Sequence, residues 1–271
     1  MPELPEVEII RRGIAPHLIG RSVARVVIRE PRLRWPISTW LADELPGQTI
    51  ERVERRGKYL LMCTAGGVVI VHLGMSGSLR MLLVATPPQK HDHFDLVLRD
   101  GACLRLRDPR RFSVVLWTRD PPLKHPLLEV LGPEPFHNAF NASYLYQRSR
   151  GRKLAVKNFI MDCRTVVGIG NIYASEALFA AGIHPARKAG RISMGRYDKL
   201  VRAIREVLEA GIRQGGTTLR DFVNSDGKPG YFRQQLAIYG RTGLDCFSCG
   251  GTIRNLRIGQ RSSYFCPVCQ R

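Results

Sequence analysis

The sequence predicts an α+β chain of two domains: an N-terminal β-sandwich flanked by helices, then a C-terminal helical domain ending in a small cysteine module. Three observations predict it. Short apolar-rich segments separated by turn residues fill the stretch from Ser22 to about Trp117. Apolar residues at helical spacing take over beyond the linker that follows. Four cysteines then crowd the last 26 residues, at Cys246, Cys249, Cys266 and Cys269.

The first element is a helix. Pro5 suits a first helical turn, and Val7, Ile10, Ile14 and Leu18 recur three and four residues apart, with Pro16 and Gly20 bending and ending the run. Strand-like segments follow at Val23–Ile28, Glu51–Val53, Tyr59–Cys63, Val68–Leu73, Leu79–Val84, Phe94–Leu98, Cys103–Leu106 and Ser113–Trp117. Short strands at that spacing predict two packed sheets. Leu131-Gly-Pro-Glu-Pro-Phe136 is rich in turn formers and opens a linker reaching about Ala142. Helices are expected over Ala174–Ala181 and Met194–Ile212, the second carrying Leu200, Ile204 and Leu208 and closed by Gly211, Gly215 and Gly216. Asn224–Tyr231 reads as a polar, glycine-rich loop. The expected bounds are 1–133 for the sandwich, 134–142 for the linker, 143–232 for the helical domain and 233–271 for the cysteine module.

Charge narrows the function. Lys and Arg number 42 against 23 Asp and Glu, a net +19, which attracts polyanions. Nucleic acid is the first candidate partner and an anionic membrane surface the second. No apolar run approaches the roughly 20 residues that span a bilayer. Glu3, Glu6 and Glu8 at the start are unlike a secretory signal, so the chain is read as cytosolic. Cys63, Cys103 and Cys163 lie among apolar residues and are expected to be ordinary buried thiols.

Cys246-Phe-Ser-Cys249, sixteen intervening residues and Cys266-Pro-Val-Cys269 form a four-thiolate pattern for one structural Zn²⁺, because each Cys-x-x-Cys turn presents two sulfurs to one ion. Two disulfides would suit a cytosolic chain poorly. Arg254, Arg257 and Arg261 lie between the pairs with no acid among them, as phosphate contacts require. Arg148, Arg150, Arg152, Lys153 and Lys157 form a second basic run. Val167-Gly-Ile-Gly-Asn171 precedes a helix and could cradle a phosphate on its amides. It lacks the third glycine of a dinucleotide site, so no nucleotide cofactor is expected. His72–Gly77 and Asp108–Phe112 each put a bulky side chain in a turn, as a core plug or as a wedge for a base stack.

The N-terminus Met1-Pro-Glu-Leu-Pro-Glu-Val-Glu8 resembles that of the bacterial formamidopyrimidine-DNA glycosylase family. The resemblance runs through Arg56–Tyr59, His72–Leu79, Lys90–His93, Asp108–Phe112, Gly168–Glu176, Gly215–Thr218, Ser225–Tyr231 and the cysteine module, in the same order. It implies a base-excision enzyme that removes oxidised purines such as 8-oxoguanine and formamidopyrimidines from duplex DNA, then cleaves the strand by β,δ-elimination. Once Met1 is removed, the amine of Pro2 is the implied nucleophile, attacking C1′ to form a Schiff base. Glu3 is the implied general acid and base, Lys58 the proton donor in β-elimination and Arg261 the donor in δ-elimination, with Glu6 supporting the amine. Met75, Arg110 and Phe112 would fill the gap left by a flipped base, and Arg110 would read the opposing cytosine. His91, Arg152, Lys157 and Asn171 match positions that hold DNA. A helix–two-turn–helix would run from about Ile172 to Ile212, and the loop bearing Thr217, Thr218 and Tyr231 would close over the lesion. Ser113 stands where many relatives have glycine. The resemblance also implies a monomer.

Three other readings are available. Endonuclease VIII, the pyrimidine-preferring relative, shares nucleophile and ribbon, but Leu4 and the Arg110–Phe112 segment favour the purine enzyme. A non-catalytic damage-binding protein would keep charge, ribbon and wedge without needing Pro2, Glu3 and Lys58. A zinc-ribbon transcription factor leaves Pro2-Glu3 without a purpose.

Overall fold

The computed structural model describes residues 2–215 and 236–271. They fall into two compact units, 2–129 with 214–215, and Val130–Arg213 with 236–271. Thr217, Thr218, Tyr231 and the Asn224–Tyr231 loop lie outside the described residues.

In the first unit, α1 (Leu4–Leu18) is followed by β1 (Val23–Ile28), α2 (Trp40–Glu44), β2 (Arg52–Arg56), β3 (Tyr59–Thr64), β4 (Gly67–His72), β5 (Ser78–Leu83), β6 (Asp92–Leu98), β7 (Ala102–Arg107), β8 (Val114–Thr118) and α3 (Pro126–Glu129). Each expected strand is present, its ends moved by at most three residues. The strands form two antiparallel four-stranded sheets, ordered β1-β6-β7-β5 and β2-β3-β4-β8. One core joins them: Phe94, Leu96, Leu104 and Leu106 from the first sheet meet Leu60, Met62, Val69 and Val115 from the second, with Val7, Ile10, Ile14 and Leu18 of α1. Each such side chain contributes about 1.5–3 kcal/mol by leaving water.

The helix does not stop at Pro16. It runs to Leu18, which is fully buried, and Gly20 at φ +77° then turns the chain. The amide that Pro16 lacks is lost only in the last turn, so burial of Leu18 prevails. Charges are also buried here. Arg105 grips both oxygens of Asp95 at 2.8 Å, and Arg29 adds a third bond at 2.6 Å. Cys63 and Cys103 are buried as expected; burial, then the Asp95 charge, pushes the Cys103 thiol up to about 11.

The second unit contains α4 (Ala142–Ser149), α5 (Val156–Met161), α6 (Asn171–Ala180), α7 (Met194–Arg213), β9 (Arg254–Ile258) and β10 (Arg261–Phe265). Asn141 caps α4 by accepting the Tyr144 amide at 2.9 Å. α6 is buried on nearly every side, while α7 buries Tyr197, Leu200, Val201, Ile204 and Leu208 and leaves its charged face to solvent. Together they span the expected helix–two-turn–helix. Gly211 does not close α7 but lies inside it: a Cβ there would stand 2.6 Å from the Tyr173 hydroxyl, so glycine lets α6 approach. Cys163 corrects the reading of the thiols. It is exposed, between exposed Asp162 and Arg164 in the turn that follows α5. Among the described residues no helix is long and apolar enough to cross a membrane.

Candidate active site and nucleic-acid interface

The N-terminal site is built on the start of α1. Pro2, Glu3 and Glu6 are all buried. Glu3 is the N-cap, and Glu6 one turn on accepts its amide proton at 2.8 Å, half of a capping box. The bond fixes the backbone immediately after Pro2. A carboxylate pair at a helix N-terminus also faces the positive end of the helix dipole, where negative charge is stabilised.

The hairpin that carries Lys58 reaches the same helix by a second route. β2 and β3 pair Arg56 with Tyr59 across a two-residue turn, Gly57-Lys58, with Gly57 at φ +57°. This is the II′ pattern, in which the first central position favours glycine. Arg55, beside the turn, donates to the Gly57 carbonyl at 3.0 Å and to Glu8 of α1 at 3.1 Å. Glu8 also holds Arg11 and Arg12, each at 2.8 Å. Burial alone would raise the Glu8 carboxyl; the Arg11 and Arg12 guanidiniums outweigh it and hold it at about 2. A charged Glu8 therefore docks the hairpin that carries Lys58 on the helix that carries Pro2 and Glu3. His72 lies opposite Tyr59 in the β3–β4 register, their rings 4.8 Å apart, and accepts the Gly74 amide on Nδ1 at 3.1 Å. Burial, then the charges of Lys58 and Arg34, lower His72 to about 4, so the imidazole beside Lys58 is neutral at pH 7. The sequence assigned His72 no role; its place beside Lys58 depends on strand register.

The expected wedge residues come together. Met75 and Phe112 are exposed at the tips of adjacent turns, and Arg110 lies 4.8 Å from the centre of the Phe112 ring. Asp108, fully buried, fastens both turns. It accepts Ser76 Oγ at 2.6 Å, the Arg110 amide at 3.1 Å, and the Ser113 amide and hydroxyl at 2.8 and 2.7 Å. Gly74 at φ +59° is needed because a Cβ would stand 2.4 Å from the Phe112 carbonyl. Ser113 adds a bond to Asp108 that glycine would lack. His91, half-buried at φ +76°, precedes β6, and its carbonyl accepts the Asp108 amide at 3.0 Å.

In the second unit, β9 and β10 turn through Gly259 and Gln260, both at positive φ, and Arg261 follows exposed. Arg254 and Arg257 are exposed on β9. Lys157 is not on this surface. It is fully buried, and its ammonium donates to the Ser262 carbonyl at 3.1 Å and Ser263 Oγ at 2.8 Å. Lys157 thus holds up the hairpin that presents Arg261, which corrects the expectation of a direct DNA contact. Asn171 opens α6 with its amide 3.3 Å from the Tyr239 hydroxyl, and its Oδ1 is buried with no hydrogen-bond partner among the described residues. Glu176, one turn further on, accepts the amides of Ala237, Ile238 and Tyr239 at 2.8–3.1 Å. Burial raises its carboxyl against those three bonds. Arg152 is exposed beside Lys153.

The four cysteine sulfurs lie within 4.8 Å of one another, with Cys249 and Cys266 at 3.4 Å and Cys246 and Cys269 at 3.9 Å. Four ~2.3 Å bonds to a tetrahedral zinc put sulfurs about 3.8 Å apart, whereas a disulfide needs about 2.05 Å. The Gly251 and Cys269 amides point at Cys249 and Cys266 Sγ, at 3.4 and 3.5 Å, and stabilise thiolate charge. The donor set fits one structural zinc.

Comparison with known proteins covers the whole chain. Residues 1–115 match the formamidopyrimidine-DNA glycosylase N-terminal domain, 131–223 the formamidopyrimidine-DNA glycosylase H2TH domain, and 243–271 the zinc finger found in FPG and IleRS. Formamidopyrimidine-DNA glycosylases of Methylococcus capsulatus and Syntrophotalea carbinolica are 58% and 60% identical, over 100% of both chains in each case. A Lactococcus lactis FPG mutant, solved with Fapy-dG-containing DNA, superposes with TM-score 0.92 at 32% identity, covering 100% of each chain. MutM (FPG) from Thermus thermophilus gives 0.89 at 37%, covering 99% of this chain and 98% of that one. With its sandwich, its paired α6 and α7 and its four-thiolate ribbon each matched in order, the chain belongs to the formamidopyrimidine-DNA glycosylase family.

Proposed function

We propose that this chain excises oxidised purines from damaged duplex DNA and cleaves the strand it has stripped, using the Pro2 amine as nucleophile. The observation that carries this reading is the buried Pro2-Glu3-Glu6 group at the head of α1, with the Lys58 hairpin docked on the same helix through Glu8 and Arg55. The Lactococcus lactis structures holding Fapy-dG and abasic-site DNA support the substrate class.

An α-amine has a pKa of about 7.7–8.0, so a useful fraction is neutral near pH 7. With Met1 removed, Pro2 nitrogen attacks C1′ and the damaged base leaves with the bonding electrons. Glu3 handles the proton traffic at the sugar: Pro2 nitrogen sheds its proton, O4′ gains one as the C1′–O4′ bond breaks, and the ring-opened iminium between Pro2 and C1′ draws electrons from C2′. Loss of a C2′ proton expels the 3′ phosphate, and a second elimination expels the 5′ phosphate. Lys58 and Arg261 supply protons in the first and second eliminations. Met75, Arg110 and Phe112 occupy the space of the extruded base. His91, Arg152 and Asn171 grip phosphates. Arg254, Arg257 and Arg261 add the ribbon's contacts. In this reading residues 1–133 carry the chemistry, 143–232 and 233–271 grip DNA, and the enzyme works as a monomer in the cytosol, on the nucleoid.

Borohydride trapping on a duplex with one 8-oxoguanine opposite cytosine tests the reading. The chain beginning at Pro2 should form a covalent adduct and, untrapped, release both elimination products. Pro2→Gly should lose the adduct, and Glu3→Gln should lose base excision. A chain confirmed to begin at Pro2 that binds the duplex without adduct or cleavage would be a damage-binding protein instead.

A further inference from the structure

The basic run Arg148–Lys157 does not act as a block. Arg148 and Arg150 lie over the rings of Tyr144 and Tyr146, 6.0 and 3.9 Å from their centres, and Lys157 is buried under the ribbon hairpin. Arg152 and Lys153 have different company. The segment that carries them is zipped to residues 187–190: Val156 donates to the Arg187 carbonyl at 2.7 Å, Ala189 to Leu154 at 2.9 Å, and Gly190 to Arg152 at 3.0 Å, with an antiparallel bridge between Ala155 and Lys188. A Cβ on Gly190 would stand 2.8 Å from the Arg152 carbonyl, so the two backbones meet at the closest approach glycine permits.

Beside the zipper lies an open cavity of about 220 Å³ lined by Gly151, Arg152, Lys153, Lys188, Gly190 and Arg191. Its lining is four cations and two glycines, with no carboxylate. Two of the lining carbonyls are already engaged, that of Arg152 by the Gly190 amide and that of Lys188 by the Arg191 amide, both at 3.0 Å. Among the described residues none of the four cationic side chains forms an ion pair. Four like charges around one small cavity repel one another unless an anion joins them.

We propose that this cavity seats one backbone phosphate of the DNA duplex, with Lys188 and Arg191 extending the grip of Arg152 and Lys153 to a phosphate away from the lesion. The proposal rests on the DNA-binding reading of the chain. Its ligand is a phosphodiester oxygen pair, which cationic side chains recognise without reading sequence.

Lys188→Ala/Arg191→Ala tests it without touching the catalytic groups. For the loss of one phosphate contact, the slope of log affinity against log salt should fall by about 0.9. The affinity lost between 50 and 200 mM salt should then shrink by about 3.5-fold. In a scan of single methylphosphonate linkages, the parent should be sensitive at one position beyond the phosphates flanking the lesion, and the double variant should be insensitive there alone. Single-turnover excision at saturating DNA should be unchanged. Lys188→Arg/Arg191→Lys, which keeps both charges, should retain the parent's slope and scan. A double-alanine variant with the parent's slope and scan overturns the proposal while leaving the glycosylase reading intact. A parent that neither binds nor incises the lesion duplex overturns both.

Discussion

Two hairpin tips in this molecule each deliver one cation, and they are held by opposite means. The Gly57-Lys58 tip belongs to a sheet packed into a core of 24 buried apolar residues, and it is oriented by an ion pair to a helix. The Gly259-Gln260 tip, which leads into Arg261, belongs to a two-stranded ribbon whose own core is Ile238, Cys246, Ile253 and Cys266. Two of those four are zinc ligands. A small module lacks the apolar area to fix a side chain, so metal–sulfur bonds and one buried ammonium take over. The long-range core makes the first tip robust and its ion pair a refinement. In the second, the local device is the fold itself.

The largest break in this comparison should come from the metal. Cys249→Ser, or strong chelation, removes binding energy of about 10–16 kcal/mol in comparable zinc modules. The ribbon should unfold and lesion-DNA affinity should fall at least about 100-fold, while thermal unfolding of the sandwich stays where it was. Zinc release, duplex binding and calorimetry measure the three quantities, and a metal-free chain with parental affinity would end the comparison. Lys157→Met comes next. It strips the donor from Ser262 and Ser263 and should cost about 2–3 kcal/mol. In strand cleavage it should lower δ-product relative to β-product, because Arg261 is set loose and Lys58 is not.

Glu8→Gln should be milder, about 1 kcal/mol, since the arginines it releases are partly solvated. Its pH signature is specific. The Glu8 carboxyl, near 2 in the fold against an ordinary 4.5, stabilises the protein above about pH 4.5 and loses that contribution as pH falls toward 2. His72, lowered to about 4 from 6.5, binds its proton more readily in the unfolded chain, so stability should already decline as pH drops from 6.5 to 4. Denaturant titrations across pH should show the lower step in the parent and not in Glu8→Gln. The smallest effect belongs to Ser113→Gly, which deletes one of four bonds to Asp108 and should cost about 1 kcal/mol or less by thermal melting. Excision should fall only slightly, because the Ser113 amide still holds the turn.

The same contrast explains what was legible in the sequence. Short apolar-rich segments bounded by turn residues and the three-and-four spacing in α1 are local signals, and they located the sandwich. Two Cys-x-x-Cys turns are local as well, and they located the ribbon. What was hidden depends on partners far along the chain. The role of Lys157 rests on residues 262 and 263, that of Asp108 on Ser76, and that of Glu8 partly on Arg55. Gly211 looked like a helix terminator because Tyr173, which needs its missing side chain, is 38 positions earlier. Cys163 looked buried because its apolar surroundings in sequence are not its surroundings in space.

The buried thiols of the sandwich bear on how this chain survives the conditions that create its substrate. Peroxide attacks thiolate, not thiol. Cys103, with its thiol near 11, is ionised in only about one molecule in ten thousand at pH 7, and burial raises Cys63 as well. The sandwich therefore offers oxidants almost no reactive sulfur. Oxidative injury falls on exposed Cys163 and on the ribbon's thiolates, so a cell under oxidative stress should lose the enzyme's hold on DNA before its chemistry.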